Sequence, residues 1–206
     1  MNELLRILFI SVSIMLVLGV LFPKSFVFWS KQKSKKNAFL GYFTLLSLIV
    51  LGIYVTTRDH IPVEFVRVVD GDTAKIIYEG REEYVRYLLI DTPESKSHHT
   101  CVQPYGEEAS IRNEELLNSG KVTLEFDGPK RDTYGRLLAY VYVDGESVQE
   151  KLIKEGYGRV AYVYDPPYTY LEDYYQAEED AKTKRRKIWS QEGYVTQAGF
   201  TGCVDD

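Results

Sequence analysis

The chain has 206 residues, of which 45% are hydrophobic and 27% charged, a balance that excludes a disordered, collagen-like or polytopic membrane protein. The charge is unevenly distributed. Residues 1–56 carry six Lys and Arg against one acid, whereas residues 57–206 carry 19 Lys and Arg against 29 acids. The two cysteines exclude a disulfide-rich scaffold and a four-cysteine zinc site.

The first 56 residues contain two long apolar segments. Leu4–Phe22 and Ala38–Val55 each come close to the roughly 20 residues that a helix needs to cross a bilayer. Five lysines lie between the segments, and the positive-inside rule places this connecting loop in the cytoplasm. We therefore expect a two-pass helical hairpin in the cell membrane, with the N-terminus and the rest of the chain outside. A cleaved signal peptide is the alternative for the first segment, and the second would then remain as an anchor.

Residues 57–62 are predicted to be a polar linker, after which the apolar pattern changes from continuous to alternating. The predicted strands are Val63–Val69, Ala74–Tyr78, Glu83–Ile90, Lys121–Phe126 and Leu137–Val143. The predicted helices are Pro104–Asn118, Val148–Glu155 and Tyr170–Lys187. Five short strands and these helices predict an α+β fold, a five-stranded barrel of the OB type with packed helices. We expect it to occupy residues 63–190 and to be followed by a C-terminal tail, residues 191–206.

Three short clusters carry the residues that are suited to chemistry. They are Asp70–Thr73, Arg86–Glu94 and Asp132–Arg136. Asp72, Asp91 and Glu94 lie at or just beyond predicted strand ends, and oxygen-only ligands suit a hard cation such as calcium. Arg86 and Arg136 suit a phosphate, because a guanidinium group can donate to two of its oxygens at once. Each cluster alone is typical of an ordinary turn or ion pair, so the prediction rests on their combination.

These clusters and their surroundings resemble staphylococcal nuclease, the thermonuclease family of calcium-dependent phosphodiesterases built on an OB barrel. The matching blocks follow family order from about Val63 to Ser190. They are VVDGDTAKI, VRYLLIDTPES, YGEEAS, VTLEFD, RDTYGRLLAYVYVDG, GYGRVAYVY and KIWS. The resemblance implies hydrolysis of DNA or RNA at the P–O5′ bond, which leaves 3′-phosphates.

The resemblance also implies how the metal and the attacking water would be held. Asp72 and Asp91 match the carboxylate ligands of Ca²⁺, and Thr92 matches the residue that offers its backbone carbonyl. Glu94 matches the proposed general base, which either abstracts a proton from the water or mainly orients it. The resemblance implies no small-molecule cofactor.

The same resemblance assigns the contacts to the nucleic acid. Arg86 and Arg136 match the two arginines that hold the phosphate. The side chains expected to line the nucleotide site are Tyr134, Tyr162 and Tyr164. One departure from the family pattern is Thr133, at a position where family members often carry a lysine.

Cys101 and Cys203 are the only cysteines of the chain. An extracellular domain would permit a disulfide between them, which would tie the C-terminal tail to the loop after Glu94. Two unpaired thiols are the alternative, because sequence does not give the distance between them.

We therefore expect a membrane-anchored, extracellular, calcium-dependent nuclease whose substrate is DNA, RNA or both. The alternative is a non-catalytic OB-type module that binds nucleic acid or protein at the cell surface. The presence of Arg86, Glu94 and Arg136 together favours the enzyme. So does the net charge of −10 on residues 57–206, because an acidic domain repels a polyanion. The preference for DNA or RNA and the oligomeric state stay open.

Overall fold

The computed structural model describes residues 60–95, 101–164 and 167–204, together with Phe43, Thr44 and Ser47. The chain divides into two units between Asp59 and His60, and the fold described below is that of the second unit. The two predicted membrane segments lie outside the described residues except at those three positions. Among the described residues, no helix combines the length and the apolar character needed to span a membrane. The membrane hairpin stays a prediction.

The second unit is a mixed α+β structure, as the sequence predicts. Its strands are β1 Ile61–Pro62, β2 Glu64–Asp70, β3 Thr73–Tyr78, β4 Arg81–Tyr87, β5 Ile90–Asp91, β6 Val122–Glu125, β7 Leu137–Val143, β8 Glu146–Ser147, β9 Arg159–Val160, β10 Val195–Thr196 and β11 Gly199–Phe200. Its helices are α1 Gly106–Asn118, α2 Val148–Glu155, α3 Leu171–Thr183 and a 3₁₀ helix at Lys187–Ser190.

Seven strands form one sheet in the order β1-β6-β7-β4-β3-β2, with β8 paired to β7. Strands β2, β3 and β4 form an antiparallel meander, whereas β4 and β7 run parallel with Arg86 opposite Leu138. The parallel pairing brings the second and third sequence clusters side by side, because Arg136 immediately precedes β7. Strands β5 and β9 pair separately and join Asp91 to Arg159.

The core lies between the large sheet and the helices. Helix α2 contacts both β7 and α3, and its Leu152 and Ile153 are completely buried. Ser147 begins this helix by accepting a hydrogen bond from the N–H of Glu150, and Gly156 ends it with a φ of 84°. These two signals explain why the predicted and observed bounds of α2 agree.

The five predicted strands correspond to β2, β3, β4, β6 and β7, and the structure corrects several of the predicted details. The last two residues of the predicted linker, Ile61 and Pro62, form β1 against β6. The strand predicted to continue to Ile90 ends at Tyr87, because Leu89 has a left-handed φ of 62° that breaks the extended conformation. With β1 and the short strand β8, which pairs with β7, the sheet contains seven strands rather than five.

Candidate active site

The turn between β2 and β3 places Asp72 inside the molecule, where the residue is only 1% exposed. Its Oδ2 accepts a hydrogen bond from the backbone N–H of Thr92 at 3.0 Å. Its Oδ1 accepts one from the hydroxyl of Thr73 at 3.1 Å and contacts Nη1 of Arg86. Gly71 allows this approach, since a Cβ there would lie 2.6 Å from Oγ1 of Thr92. Asp72 thus joins the first two sequence clusters.

Asp91, at the end of β5, is held by three side chains. Its Oδ2 accepts a hydrogen bond from Nε of Arg159 at 2.9 Å, and its Oδ1 accepts one from the hydroxyl of Tyr162 at 3.1 Å. Nη2 of Arg86 lies 3.6 Å from the same Oδ1. Burial and the charge of Asp72 raise the pKa of Asp91, while the two arginines oppose that rise. Arg86 therefore lies between two buried carboxylates.

Glu94 follows these residues in an exposed loop whose backbone is fixed. Its N–H donates to Oε1 of Gln103 at 2.9 Å, and its carbonyl accepts from the N–H of Gln103 at 2.9 Å. Partial burial and the negative charge of Asp70 raise the pKa of the Glu94 carboxyl to about 7, with a smaller contribution from Asp72. A carboxyl with this pKa can accept a proton near neutral pH.

A tight turn after residue 131 positions Arg136. Oδ1 of Asp132 accepts hydrogen bonds from the N–H groups of Tyr134 and Arg136, both at 2.9 Å. Oδ2 of Asp132 accepts one from Nε of Arg136 at 2.7 Å, so the same carboxylate fixes both the turn and the guanidinium group. Gly135 adopts a φ of 83°, a conformation that few other residues take.

A single open cleft of about 640 Å³ brings the predicted catalytic and nucleotide-binding residues together. The predicted residues that line it are Arg86, Glu94, Tyr134, Arg136, Tyr162 and Tyr164. Tyr134 and Tyr164 are 84% and 80% exposed, whereas the ring of Tyr162 lies beneath the guanidinium group of Arg86, whose Cζ is 5.1 Å from the ring centroid. Thr133 also lines the cleft.

Asp72, Asp91 and Thr92, the predicted metal ligands, lie directly behind Arg86 and do not line this cleft. Within the described ranges, no three Asp, Glu, His or Cys side chains form a group that could bind a metal by themselves. The predicted set consists of two carboxylates and one backbone carbonyl, and such oxygen donors fit a hard cation. Oγ1 of Thr92 is buried and makes no hydrogen bond among the described residues.

The charges around the predicted metal ligands are also consistent with a cation. Burial raises the pKa of Asp70 and of Asp91, and in both cases the charge of Asp72 adds to the rise. These carboxylates thus repel one another in a poorly solvated space, and Arg86 and Arg159 offset only part of that repulsion at Asp91. A divalent cation would relieve the rest. The residues therefore fit a bound cation.

Four residues of this site were not predicted from the sequence. Asp70 and Asp132 belong to the first and third clusters, so their closeness in sequence to Asp72 and Arg136 could have indicated a role in the site. Arg159 lies in the matching block GYGRVAYVY, but its contact with Asp91 spans 68 positions. Gln103 is part of no motif, and nothing in the sequence marks it.

The sequence model of the family described as "Staphylococcal nuclease homologue" matches residues 84–191, more than half of the chain. The chain belongs to the staphylococcal nuclease family. The resemblance noted in the sequence is thereby confirmed. The matched range includes Arg86, Asp91, Glu94 and Arg136, whereas Asp72 precedes it. Members of this family use metal ions.

Several curated relatives are similar to the chain over 61% to 72% of its length. Endonuclease YncB of Bacillus subtilis (strain 168) is 62% identical over 139 residues, which are 67% of this chain and 66% of that protein. The SPbeta prophage-derived endonuclease YokF of the same organism is 59% identical over 150 residues, 72% of this chain and 51% of that protein. The thermonuclease of Staphylococcus hyicus is 43% identical over 125 residues, 61% of this chain and 73% of that protein. The chain thus spans about half to two thirds of the length of the two Bacillus relatives.

Proposed function

We propose that this protein is a calcium-dependent nuclease that hydrolyses DNA, RNA or both at the P–O5′ bond and leaves 3′-phosphates. The observation that carries the proposal is the convergence of Arg86, Arg136 and Glu94 on one cleft, with the buried carboxylates of Asp72 and Asp91 behind Arg86. The names of the relatives, endonucleases and a thermonuclease, support the same reaction class.

The exposed rings in the cleft would bind the nucleotides. Tyr134 and Tyr164 offer flat apolar faces next to the charged groups, and a ring can stack on any base regardless of its identity. The guanidinium group of Arg136 lies over the ring of Tyr134, with Cζ 5.5 Å from the centroid. This arrangement places one phosphate-binding group immediately beside one base-binding surface, which suits a substrate of little sequence preference.

The two arginines would stabilise the charge that develops on the phosphoryl oxygens during the reaction. Asp72 holds Arg86 and Asp132 holds Arg136, so both guanidinium groups are oriented before the substrate arrives. Preorganised donors of this kind typically contribute about 3–4 kcal/mol each, or about 10²–10³ in rate. Removal of either arginine is therefore expected to reduce kcat by at least that factor.

Glu94 would take a proton from the attacking water, because its pKa of about 7 makes it a base that is effective near neutral pH. Asp72, Asp91 and the backbone carbonyl of Thr92 would hold the calcium ion. When bound, Ca²⁺ would polarise a phosphoryl oxygen and neutralise part of the developing negative charge.

We also propose that the enzyme acts outside the cell, anchored through residues 4–22 and 38–55. Two observations support this location. Each segment is apolar over nearly the length of a bilayer core, and Cys101 and Cys203 form a disulfide, a bond typical of oxidising compartments. A protease-sensitive reporter attached after residue 206 tests the orientation. We expect external protease to remove it from intact cells, and complete protection would contradict the outward placement.

Cleavage of single-stranded DNA and of RNA by the purified full-length protein tests the reaction. The assay compares Ca²⁺ with a chelator for the wild type, for Glu94→Gln and for Glu114→Gln, a control that makes the same change on the exposed face of α1. We expect cleavage with calcium only, products with 3′-phosphate ends, and a rate about 10²–10⁴-fold lower for Glu94→Gln alone. Equal cleavage by all three proteins, or cleavage that survives the chelator, would remove the proposed mechanism.

A further inference from the structure

The C-terminal segment packs against residues 101–104, which follow Glu94 in the chain. Residues 191–204, called here the C-terminal hairpin, contain the paired strands β10 and β11. The hairpin is joined to residues 101–104 by the Cys101–Cys203 disulfide, whose Cα atoms are 5.6 Å apart. The N–H of Val204 donates to the carbonyl of Val102 at 2.9 Å. The hydroxyl of Tyr194 donates to the carbonyl of Pro104.

The side chain of Gln103 connects the hairpin to Glu94. Its Oε1 accepts from the N–H of Glu94 at 2.9 Å, while its Nε2 donates to the carbonyl of Phe200 in β11 at 3.3 Å. The backbone N–H of Gln103 also donates to the carbonyl of Glu94 at 2.9 Å. One residue therefore holds both backbone polar groups of Glu94 and is itself held by the hairpin.

A second connection runs from the hairpin to Asp91. Nη1 of Arg159 donates to the carbonyl of Gln197 at 3.4 Å, and its Cζ lies 5.9 Å from the centroid of the Phe200 ring. Nε of the same arginine donates to Asp91. The hairpin thus contacts both Gln103, which holds Glu94, and Arg159, which holds Asp91. It does not itself line the cleft.

We propose that Gln103 is a positioning residue for Glu94 and that the disulfide-linked hairpin keeps it in place, so that full activity requires the oxidised protein. The inference rests on the proposed function, because it concerns how the base of that reaction is held. The disulfide closes a separation of 102 positions next to Gln103 and so raises the effective concentration of the hairpin there. Without it, the hairpin is retained by hydrogen bonds that are exposed or partly buried and by the packing of the buried Tyr194. Displacement of a reacting group by about 1 Å can lower a rate by up to about 10²-fold.

Reduction of the disulfide tests whether it keeps the hairpin and Gln103 in place. A dithiol reductant breaks the Cys101–Cys203 bond by transferring two electrons and two protons to the cysteine sulfurs, and it becomes a disulfide itself. Replacement of both cysteines by serine produces the same loss without a reductant. Gln103→Met keeps the length of the side chain and removes both of its hydrogen-bonding groups.

Two measurements on the full-length protein test the proposal. Steady-state kinetics in Ca²⁺ compare the oxidised wild type, the reduced wild type, the double serine variant, Gln103→Met and the control Gln176→Met on the exposed side of α3. Relative to the oxidised wild type, we expect kcat to fall about 10- to 100-fold in the reduced wild type, the double serine variant and Gln103→Met, but not in Gln176→Met. KM should stay within about twofold in all of them. Reductant should not change the double serine variant further.

The second measurement is amide hydrogen exchange at Glu94, followed by NMR, which does not depend on nuclease activity. We expect the Glu94 N–H to exchange at least about tenfold faster after reduction and in Gln103→Met, because its acceptor is then lost or displaced. Unchanged exchange would overturn the proposal, as would an effect on KM alone or a kcat within about twofold of the wild type. Absence of cleavage by the oxidised wild type would refute the proposed function, and exchange would still decide whether the hairpin holds Glu94.

Discussion

Asn113 of α1 connects the helix to the turn that carries Asp72. It is completely buried, its Oδ1 accepts a hydrogen bond from the hydroxyl of Tyr87 at 3.0 Å, and its Nδ2 donates to the carbonyl of Asp70 at 3.0 Å. Burial raises the pKa of Tyr87, so its hydroxyl stays protonated and depends on this acceptor. Asn113→Ala is therefore expected to weaken both the fold and the support of the first cluster.

The magnitude follows from the groups that lose a partner. Two hydrogen bonds contribute about 0.5–1.5 kcal/mol each, and a buried hydroxyl left without an acceptor costs about 1–3 kcal/mol. We expect the free energy of unfolding to fall by about 3 kcal/mol, a large part of the 5–15 kcal/mol that is usual for a domain of this size. With a urea m-value of about 2 kcal/mol/M, the midpoint of unfolding should decrease by about 1.5 M.

Urea unfolding followed by circular dichroism gives the measurement, and Tyr87→Phe completes a double-mutant cycle. The double variant should lose at least about 1 kcal/mol less than the two single variants together, since each single change leaves a polar group unpaired. Asn118→Ala, at the exposed end of the same helix, is the matched control and should cost less than about 0.5 kcal/mol. A loss below about 1 kcal/mol for Asn113→Ala, or additive losses in the cycle, would refute the reasoning.

Three further variants or conditions test other contacts. Asp132→Asn should lower kcat by about tenfold or more, because Arg136 loses its charged partner, and a kcat equal to that of the wild type would contradict this. Tyr134→Ala should raise KM by about tenfold with little change in kcat, since one stacked base contributes about 1–3 kcal/mol; steady-state kinetics with oligonucleotides distinguish the two parameters. Reduction of the disulfide should lower Tm by several degrees in differential scanning calorimetry. The reason is that a loop of about 100 residues is then released in the unfolded state, an effect worth at most about 4.7 kcal/mol. An unchanged Tm would show that the bond does not constrain the unfolded chain.

Local patterns were sufficient for the longer elements of the second unit, except that the helix predicted to reach Lys187 ends at Thr183. Alternating apolar residues predict β2, β3, β4, β6 and β7, and the capping residues Ser147 and Gly156 define α2. The sequence failed where a single backbone conformation decides the path. Leu89 takes a left-handed φ that an apolar run does not indicate, and this turn carries Asp91 away from the large sheet to pair with Arg159.

The site shows the same division between local and long-range information. The clusters around Asp72, Asp91 and Arg136 are short motifs, so they could be found in the sequence together with the residues that the resemblance assigns. Contacts between distant residues of ordinary type could not be found in this way. Gln103 joins Glu94 to Phe200, which is 97 positions away from it, and no local pattern distinguishes this glutamine from one on the surface.

Calcium binding, measured by isothermal titration calorimetry, tests the proposed cation site most directly. The experiment compares the wild type with Asp91→Asn and with Asp173→Asn, a control at an exposed position of α3. Because Asp91 would supply one of only two carboxylate ligands, we predict one Ca²⁺ per chain for the wild type and the control and at least about tenfold weaker binding for Asp91→Asn. Equal affinity in all three proteins, or no binding of calcium by the wild type, would contradict the proposed site.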